Sequence, residues 1–228
     1  AYRQQSGSGG SRYPDANQAI NNKIFSGTLI WNYSGHGGFR RLAEEVILDQ
    51  DMVNSWNNPD RLPLFITATC DFAPYDNPAV NSIGENILIR EKTGAIALMT
   101  TTRVVFAFSN RIINNNYFQM ALATDANGIF PTLGEAMKKA KNYTYLNFGD
   151  VVNIRKFTLL GDPAVRLGFP TLKVKTTSIN NQSPSADTLK ALDRYTIKGE
   201  VTDASGNRLT GFNGNVYPVI FDKVQQIK

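Results

Sequence analysis

From Pro14 onward, short unbroken apolar runs alternate with longer segments in which apolar residues recur every third or fourth position. An unbroken run lacks the every-other-residue pattern of a half-exposed strand, so it predicts a strand covered on both faces. Four runs qualify. Gly27–Tyr33 holds Leu29, Ile30 and Trp31 in succession, Leu62–Thr69 reads LPLFITAT, and Ala95–Thr100 reads AIALMT. The fourth, Phe157–Leu160, is stopped by the turn residues Gly161-Asp162-Pro163.

The periodic segments between them predict helices. Pro14–Ile24 carries Pro14 in its first turn and has Gly27 beyond its end. Phe39–Val53 mixes Leu42, Val46, Ile47 and Leu48 with Glu44, Glu45 and Asp49 and predicts a helix, or a loop with a helical turn. Asn57–Asp60 is a turn, and Asp71–Pro78 (DFAPYDNP) is a loop. Ser82–Glu91 places Ile83, Ile87 and Leu88 at helical spacing, with Ser82 and Glu85 in capping-box positions and Gly94 beyond the end. Ser109–Ala123 is a further helix. In Thr132–Tyr143 the residues Leu133, Ala136, Met137 and Ala140 form one apolar face. Alternating strands and helices predict an α/β fold with a mostly parallel sheet flanked by helices.

The texture changes after Pro170. Thr171–Ile179 and Tyr195–Val201 alternate with period two, Asn180–Asp187 is a loop, Ala204–Asn207 is a hairpin-like turn, and Val216–Phe221 is one more strand. That pattern predicts an antiparallel all-β sandwich, here incomplete, so the expected division is residues 1–170 and 171–228. No internal repeat is visible. The chain opens on AYRQQSGSGGS with neither an initiator Met nor a signal peptide and reads as a piece of a longer protein.

Composition removes several classes of function. With 42% hydrophobic and 19% charged residues the chain is globular, and no stretch approaches the roughly 20 apolar residues of a membrane span. The net charge of +5 invites a nucleic-acid partner. The cations are scattered, however, and the densest group, Lys138, Lys139 and Lys141, complements a helix C-terminus without a basic stripe interleaved with aromatics. No nucleic acid is expected. The single Cys cannot form an internal disulfide framework, and one Cys with one His cannot build a zinc site, so neither metal nor cofactor is expected.

Those two residues carry the candidate chemistry. His36, the only histidine, follows the first buried run in NYSGHGG, and Cys70, the only cysteine, ends the second in TATCDF. In an open parallel sheet, sites form at the carboxyl ends of strands. Their separation suits adjacent parallel strands joined by a crossover. A thiol beside an imidazole is a minimal nucleophilic pair, because the imidazolium favours the reactive thiolate. The flanking glycines permit a tight turn, and the N–H groups of Gly37 and Cys70 become candidate oxyanion donors. A lone Cys at a strand end is more commonly an inert buried residue, and a His among glycines can simply cap a turn. What favours chemistry is the recurrence of two unrepeated reactive residues in one structural context. A phosphate-cradling loop is the rival reading of SGHGG, but the spacing is not G-x-G-x-x-G and no Gly-Lys-Ser/Thr follows.

An apolar strand ending in His-Gly, then one ending in Ala/Thr-Cys, resembles the caspase-like cysteine peptidases. The phrases NYSGHGG, TATCDF, SIGENIL, GAIALMTTTRVV and FTLLGDPAVRL are similar in order and wording to the gingipain family, most of all to its PorU branch of cell-surface sortases of the type IX secretion system. The resemblance spans about residues 27–170. It implies a caspase-like domain followed by an immunoglobulin-like one, and a cysteine endopeptidase able to act as a transpeptidase. Such enzymes remove C-terminal secretion signals of exported proteins and join those proteins to anionic lipopolysaccharide at the outer surface of Gram-negative bacteria. The implied partners are polypeptide substrates, other outer-membrane secretion components and that lipopolysaccharide.

By position, Cys70 is then the nucleophile, His36 the general acid/base, and Gly37 and Cys70 the oxyanion donors. Thr101, Thr102 and Arg103 follow the next strand and are expected to face substrate; for Arg103 the competing reading is a surface or helix-capping cation. Asp71 is expected to be structural, and Gly161-Asp162-Pro163 has no chemistry. The family's third catalytic residue lies upstream of the His strand, so residues 1–228 are expected to hold the dyad while lacking half of the domain. The alternative is a catalytically inactive caspase-like surface-binding module.

Overall fold

The computed structural model of the chain describes residues 4–7, 10–184, 189, 190 and 192–218. It separates into two units, Ala1–Gly168 and Phe169–Lys228. In the first, β1 (Gln5–Gly7) and β2 (Gly10–Arg12) pair antiparallel ahead of α1 (Pro14–Ser26). Then follow β3 (Ile30–Ser34), three two-residue strands β4 (Gly37–Gly38), β5 (Arg41–Leu42) and β6 (Leu48–Asp49), α2 (Gln50–Ser55) and β7 (Leu64–Ala68). The unit continues through α3 (Ile83–Ile89), β8 (Ala97–Thr101), α4 (Ala107–Ala121), α5 (Leu133–Phe148), α6 (Val152–Lys156) and β9 (Phe157–Leu160).

The main sheet has the order β3-β7-β8-β9. Every residue of β7 and β8 is buried, as their unbroken apolar runs predict. On one face Leu64, Ile66, Ala68 and Met99 pack against Ile113 and Tyr117 of α4 and Ala136 of α5. On the other, Phe65 and Leu98 meet Ile24 of α1 and Ile83 and Ile87 of α3. β3, expected to be covered on both faces, is instead a half-exposed edge strand: Trp31 and Tyr33 pack inward and Ile30 against the opposite cluster, while Asn32 and Ser34 are exposed.

The sheet is mostly parallel, as the alternation of strands and helices predicts: β3, β7 and β8 run parallel, and β9 runs antiparallel to β8. A single crossover helix returns the chain to the end where the previous strand began, whereas the α4–α5 pair takes it out and back, so β9 enters from the opposite end. Of the two readings of Phe39–Val53, the continuous helix is corrected: the segment holds β5 and β6 of the β4-β5-β6 meander, with a helix only from Gln50. Ala43 and Val46 take φ of 60° and 55°, which breaks any helix there, and Asp49 caps α2 by accepting from Met52 N–H. α3 opens on the capping box read at Ser82 and Glu85, and Thr132 with Glu135 closes another on α5.

In the second unit β10 (Lys173–Ile179) and β11 (Ile197–Thr202) pair antiparallel with a bulge between Thr176 and Ser178. Asp203 accepts from the N–H and side-chain amide of Asn207, tying the turn at Ala204–Asn207. Of the expected strand Val216–Phe221, residues 216–218 form no strand, and 219–221 lie outside the described residues, as do 185–187 of the expected loop.

Candidate functional site

The site is set by the register of β3 on β7. Trp31 lies directly opposite Phe65, and their rings stack at 4.1 Å with an interplanar angle of 11°. An aromatic pair of this kind contributes about 1 kcal/mol beyond its buried area. A slip of one residue would turn Trp31 to the other face, so the pairing is strongly specified. Ser34 is therefore opposite Ala68, and the last rung is Gly35 N–H donating to the Ala68 carbonyl at 3.4 Å. His36 and Cys70 each lie two residues beyond that last pair, where both chains have left the strands.

Tight contacts hold the His36 corner. Its carbonyl accepts from the Tyr33 hydroxyl at 2.6 Å and from Ala43 N–H at 2.8 Å. Burial pushes the Tyr33 hydroxyl pKa up, and Glu45 adds to the shift, so the group remains a donor. A Cβ on Gly37 would come 2.8 Å from Thr69 Oγ1 and 2.9 Å from Leu42 Cδ2, so only glycine lets this corner rest against the residue before Cys70. The His36 side chain is exposed.

Cys70 occupies the apex of a chain reversal. Asp71 takes φ of 42°, a left-handed conformation that aspartate tolerates. The chain then runs back along the exit of β8, with Asp71 N–H donating to Arg103 O at 3.3 Å and Ala73 N–H to Thr101 O at 3.0 Å. Cys70 is half-buried, and its Sγ lies 3.7 Å from the Val105 carbonyl as a weak donor. Thr69 is fully buried, and its hydroxyl has no hydrogen-bond partner.

The residues after β8 divide into different roles. Thr101 is fully buried and donates through its hydroxyl to Thr69 O, so it braces the Cys70 corner rather than lining an open face. Thr102 N–H and hydroxyl both point to Lys156 O. Arg103 is exposed and makes a two-pronged ion pair with Asp76, at 2.9 and 2.6 Å, which holds the Asp76 pKa below the usual aspartate range. Thr102, Arg103, Asp71 and Asp76 line a cavity of about 410 Å³ together with Phe39. His36 and Gly37 border a separate cavity of about 280 Å³. Tyr33 and Asp76 are contacts the sequence does not announce, because turn geometry decides their partners. Among the described residues no cluster of His, Cys, Asp and Glu could hold a metal ion, and no helix is long and apolar enough to cross a membrane.

Residues 1–168 match the model of a known family, "Peptidase family C25". Similar solved structures include the complex of Porphyromonas gingivalis RgpB pro- and mature domains, with 18% identity, a TM-score of 0.59, and coverage of 70% of this chain and 40% of that one. The Arg-specific cysteine proteinase gingipain R aligns at 18% identity with a TM-score of 0.56, over 70% of this chain and 39% of its own. These likenesses show the fold, and this chain spans about two-fifths of the length of either structure. Dimeric latent PorU from Porphyromonas gingivalis aligns at 33% identity over 52% of this chain and 12% of its own, with a TM-score of 0.31. No curated protein matches the chain.

Proposed function

The chain belongs to peptidase family C25, and from that premise we propose that it carries the Cys–His half of a sortase-like cysteine endopeptidase or transpeptidase. Cys70 is the nucleophile and His36 the general acid/base. The observation that supports this reading is that β3 and β7 are adjacent and parallel, with the only histidine and the only cysteine of the sequence each two residues past the paired Ser34 and Ala68.

The chemistry is acyl transfer. The Cys70 thiolate attacks the scissile carbonyl, and the N–H groups of Gly37 and Cys70 face the oxyanion. His36 then protonates the departing amine to leave a thioester. Water or an incoming amine, deprotonated by His36, releases the acyl group and gives hydrolysis or transpeptidation. Thr102 and Arg103 border the substrate, and Thr101 supports them from below. The motif wording supports C-terminal secretion signals of exported proteins as substrates, action at the cell surface beside outer-membrane secretion components, and anionic lipopolysaccharide as an acceptor. In the same reading, residues 1–170 are the C-terminal portion of the caspase-like domain and 171–228 begin an immunoglobulin-like sandwich.

The exposed His36 ring and the contact of Cys70 Sγ with the Val105 carbonyl favour a second reading, a surface-binding module without catalysis. Alkylation discriminates the two. Iodoacetamide should modify Cys70 of the full-length protein near neutral pH, and His36→Ala should slow that reaction about tenfold. Equal rates would remove the dyad. Signal processing that survives Cys70→Ser would leave the binding module.

A further inference from the structure

Beyond the Cys70 corner the chain exposes a strip of apolar side chains that is left uncovered among the described residues. Val104, Phe106 and Phe108 are 59%, 61% and 66% exposed, while Val105 between them is buried against the core. Scattered exposed apolar residues are ordinary, but a run of three beside a reactive group is a patch that calls for an explanation. Val152, at the start of α6, is 63% exposed.

Cations flank the strip. The Arg111 guanidinium lies 5.4 Å from the centre of the Phe108 ring, and Lys156 Nζ lies 5.1 Å from that of Phe106 while donating to Val104 O at 2.8 Å. From Arg103 to Thr124 the sequence has no Asp or Glu. Arg103 itself is held by Asp76, and the remaining acid near α6, Asp150, accepts from Asn153 N–H. The surface is thus apolar in its middle and positive at its margins.

We propose that this strip is a recognition surface for an extended polypeptide whose apolar residues alternate or mix with acidic ones, so that the substrate class of the proposed peptidase is acidic–apolar on the side that leaves Cys70 toward α4. The proposal rests on the peptidase reading. Two observations select a polypeptide as the occupant. The Val105 carbonyl contacts Cys70 Sγ, so a chain bound at Cys70 that continues past Val105 must cross this strip. In an extended chain side chains recur on one side every second residue, about 6.6 Å apart, matching the outward–inward–outward order of Val104, Val105 and Phe106. Carboxylates of such a chain meet Arg111 and Lys156, whose charges rest on aromatic faces and not on a protein carboxylate.

The test measures fluorescence anisotropy of three labelled peptides of equal length on the full-length protein: one of Asp, Val and Phe, one with each Asp replaced by Asn, and one with each replaced by Lys. The acidic peptide should bind roughly fivefold more tightly than its Asn counterpart, and the preference should shrink as salt rises. Phe106→Ala with Phe108→Ala should weaken it roughly tenfold, and Arg111→Gln with Lys156→Gln should erase the preference for Asp over Asn. The control Lys138→Gln with Lys139→Gln, on α5, should leave binding unchanged; an equal loss there would reduce the effect to net charge and overturn the proposal. Equal affinity for the acidic and Asn peptides would also overturn it. So would an unaltered affinity in the Phe106/Phe108 variant, or binding to phosphatidylglycerol vesicles with none to peptide. If the two Phe substitutions lower the melting temperature and no peptide binds, the strip is covered by the protein's own chain, again overturning it. Cys70 alkylation in His36→Ala is read separately, so loss of the dyad and loss of peptide recognition are distinguishable.

Discussion

Gly37 has room for a hydrogen and nothing larger, since a methyl group there would press on Thr69 Oγ1, Leu42 Cδ2 and the Arg41 carbonyl together. Gly37→Ala should therefore cost about 1–3 kcal/mol of stability, seen as a lower thermal midpoint, and should slow Cys70 alkylation by displacing the His36 turn. An unchanged midpoint would mean that the two corners are not in contact. Asp76 offers a pH test. Its pairing with Arg103 lowers its folded pKa from the ordinary 3.8, so its contribution to stability is present above that value and is lost as pH falls through the lowered one. A carboxyl titration followed by NMR should show this lowering, with Arg103→Gln moving the pKa back up; identical curves would exclude the ion pair. At this scale the sequence discloses His36 and Cys70, because each is the single residue of its type at the end of a buried run. It does not disclose Thr101 as a brace, since a threonine after a strand reads the same whether its hydroxyl faces solvent or the Thr69 carbonyl.

At the scale of elements, the helix caps are the most local features and the easiest to read. Ser82 is fully buried, accepts from Glu85 N–H at 3.1 Å, and has Glu85 Oε2 folded back onto its own N–H at 3.2 Å. Ser82→Ala should lower unfolding free energy in urea by about 1–2 kcal/mol without changing the Cys70 alkylation rate. A slowed alkylation would show that α3 positions the loop Asp71–Pro78. β7 and β8 were equally legible, because both-face burial leaves a continuous apolar run, whereas β3 carries such a run although it lies at the sheet's edge. The reversed direction of β9 was not legible. Whether β9 runs with or against β8 depends on how many helices intervene, and the break between α4 and α5 carries that information only through their packing. The β4-β5-β6 meander escaped for another reason: strands of two residues have no periodicity to detect, and left-handed Ala43 and Val46 carry no sequence mark.

For the molecule as a whole, the chain divides into two units at Gly168 and Phe169. Both apolar clusters lie entirely within the first unit, and Val165 and Leu167 are its last contributors. A chain ended at Gly168 should thus keep the sheet and both clusters. Its near-ultraviolet circular dichroism should retain the Trp31–Phe65 signature, and a flat spectrum would mean that the first unit depends on the second.

The order of strands in the main sheet also dictates how the chain gets there. Ile30 meets Leu64, Leu64 meets Ala97, and Leu98 meets Leu160, so no ladder in that sheet joins neighbours in sequence. Each ladder must first close a long loop, and rates of folding fall as such distant pairings dominate. The helical hairpin of α4 and α5, by contrast, is built from nearby residues and can form early, shortening the loop between β8 and β9. β3 lies at the edge of the sheet and pairs only with β7, so the turn that carries His36 takes its place beside β7 when that ladder closes. Under the proposed dyad, a partly folded chain displays an unactivated thiol, and its reactivity rises only as the edge strand completes the sheet.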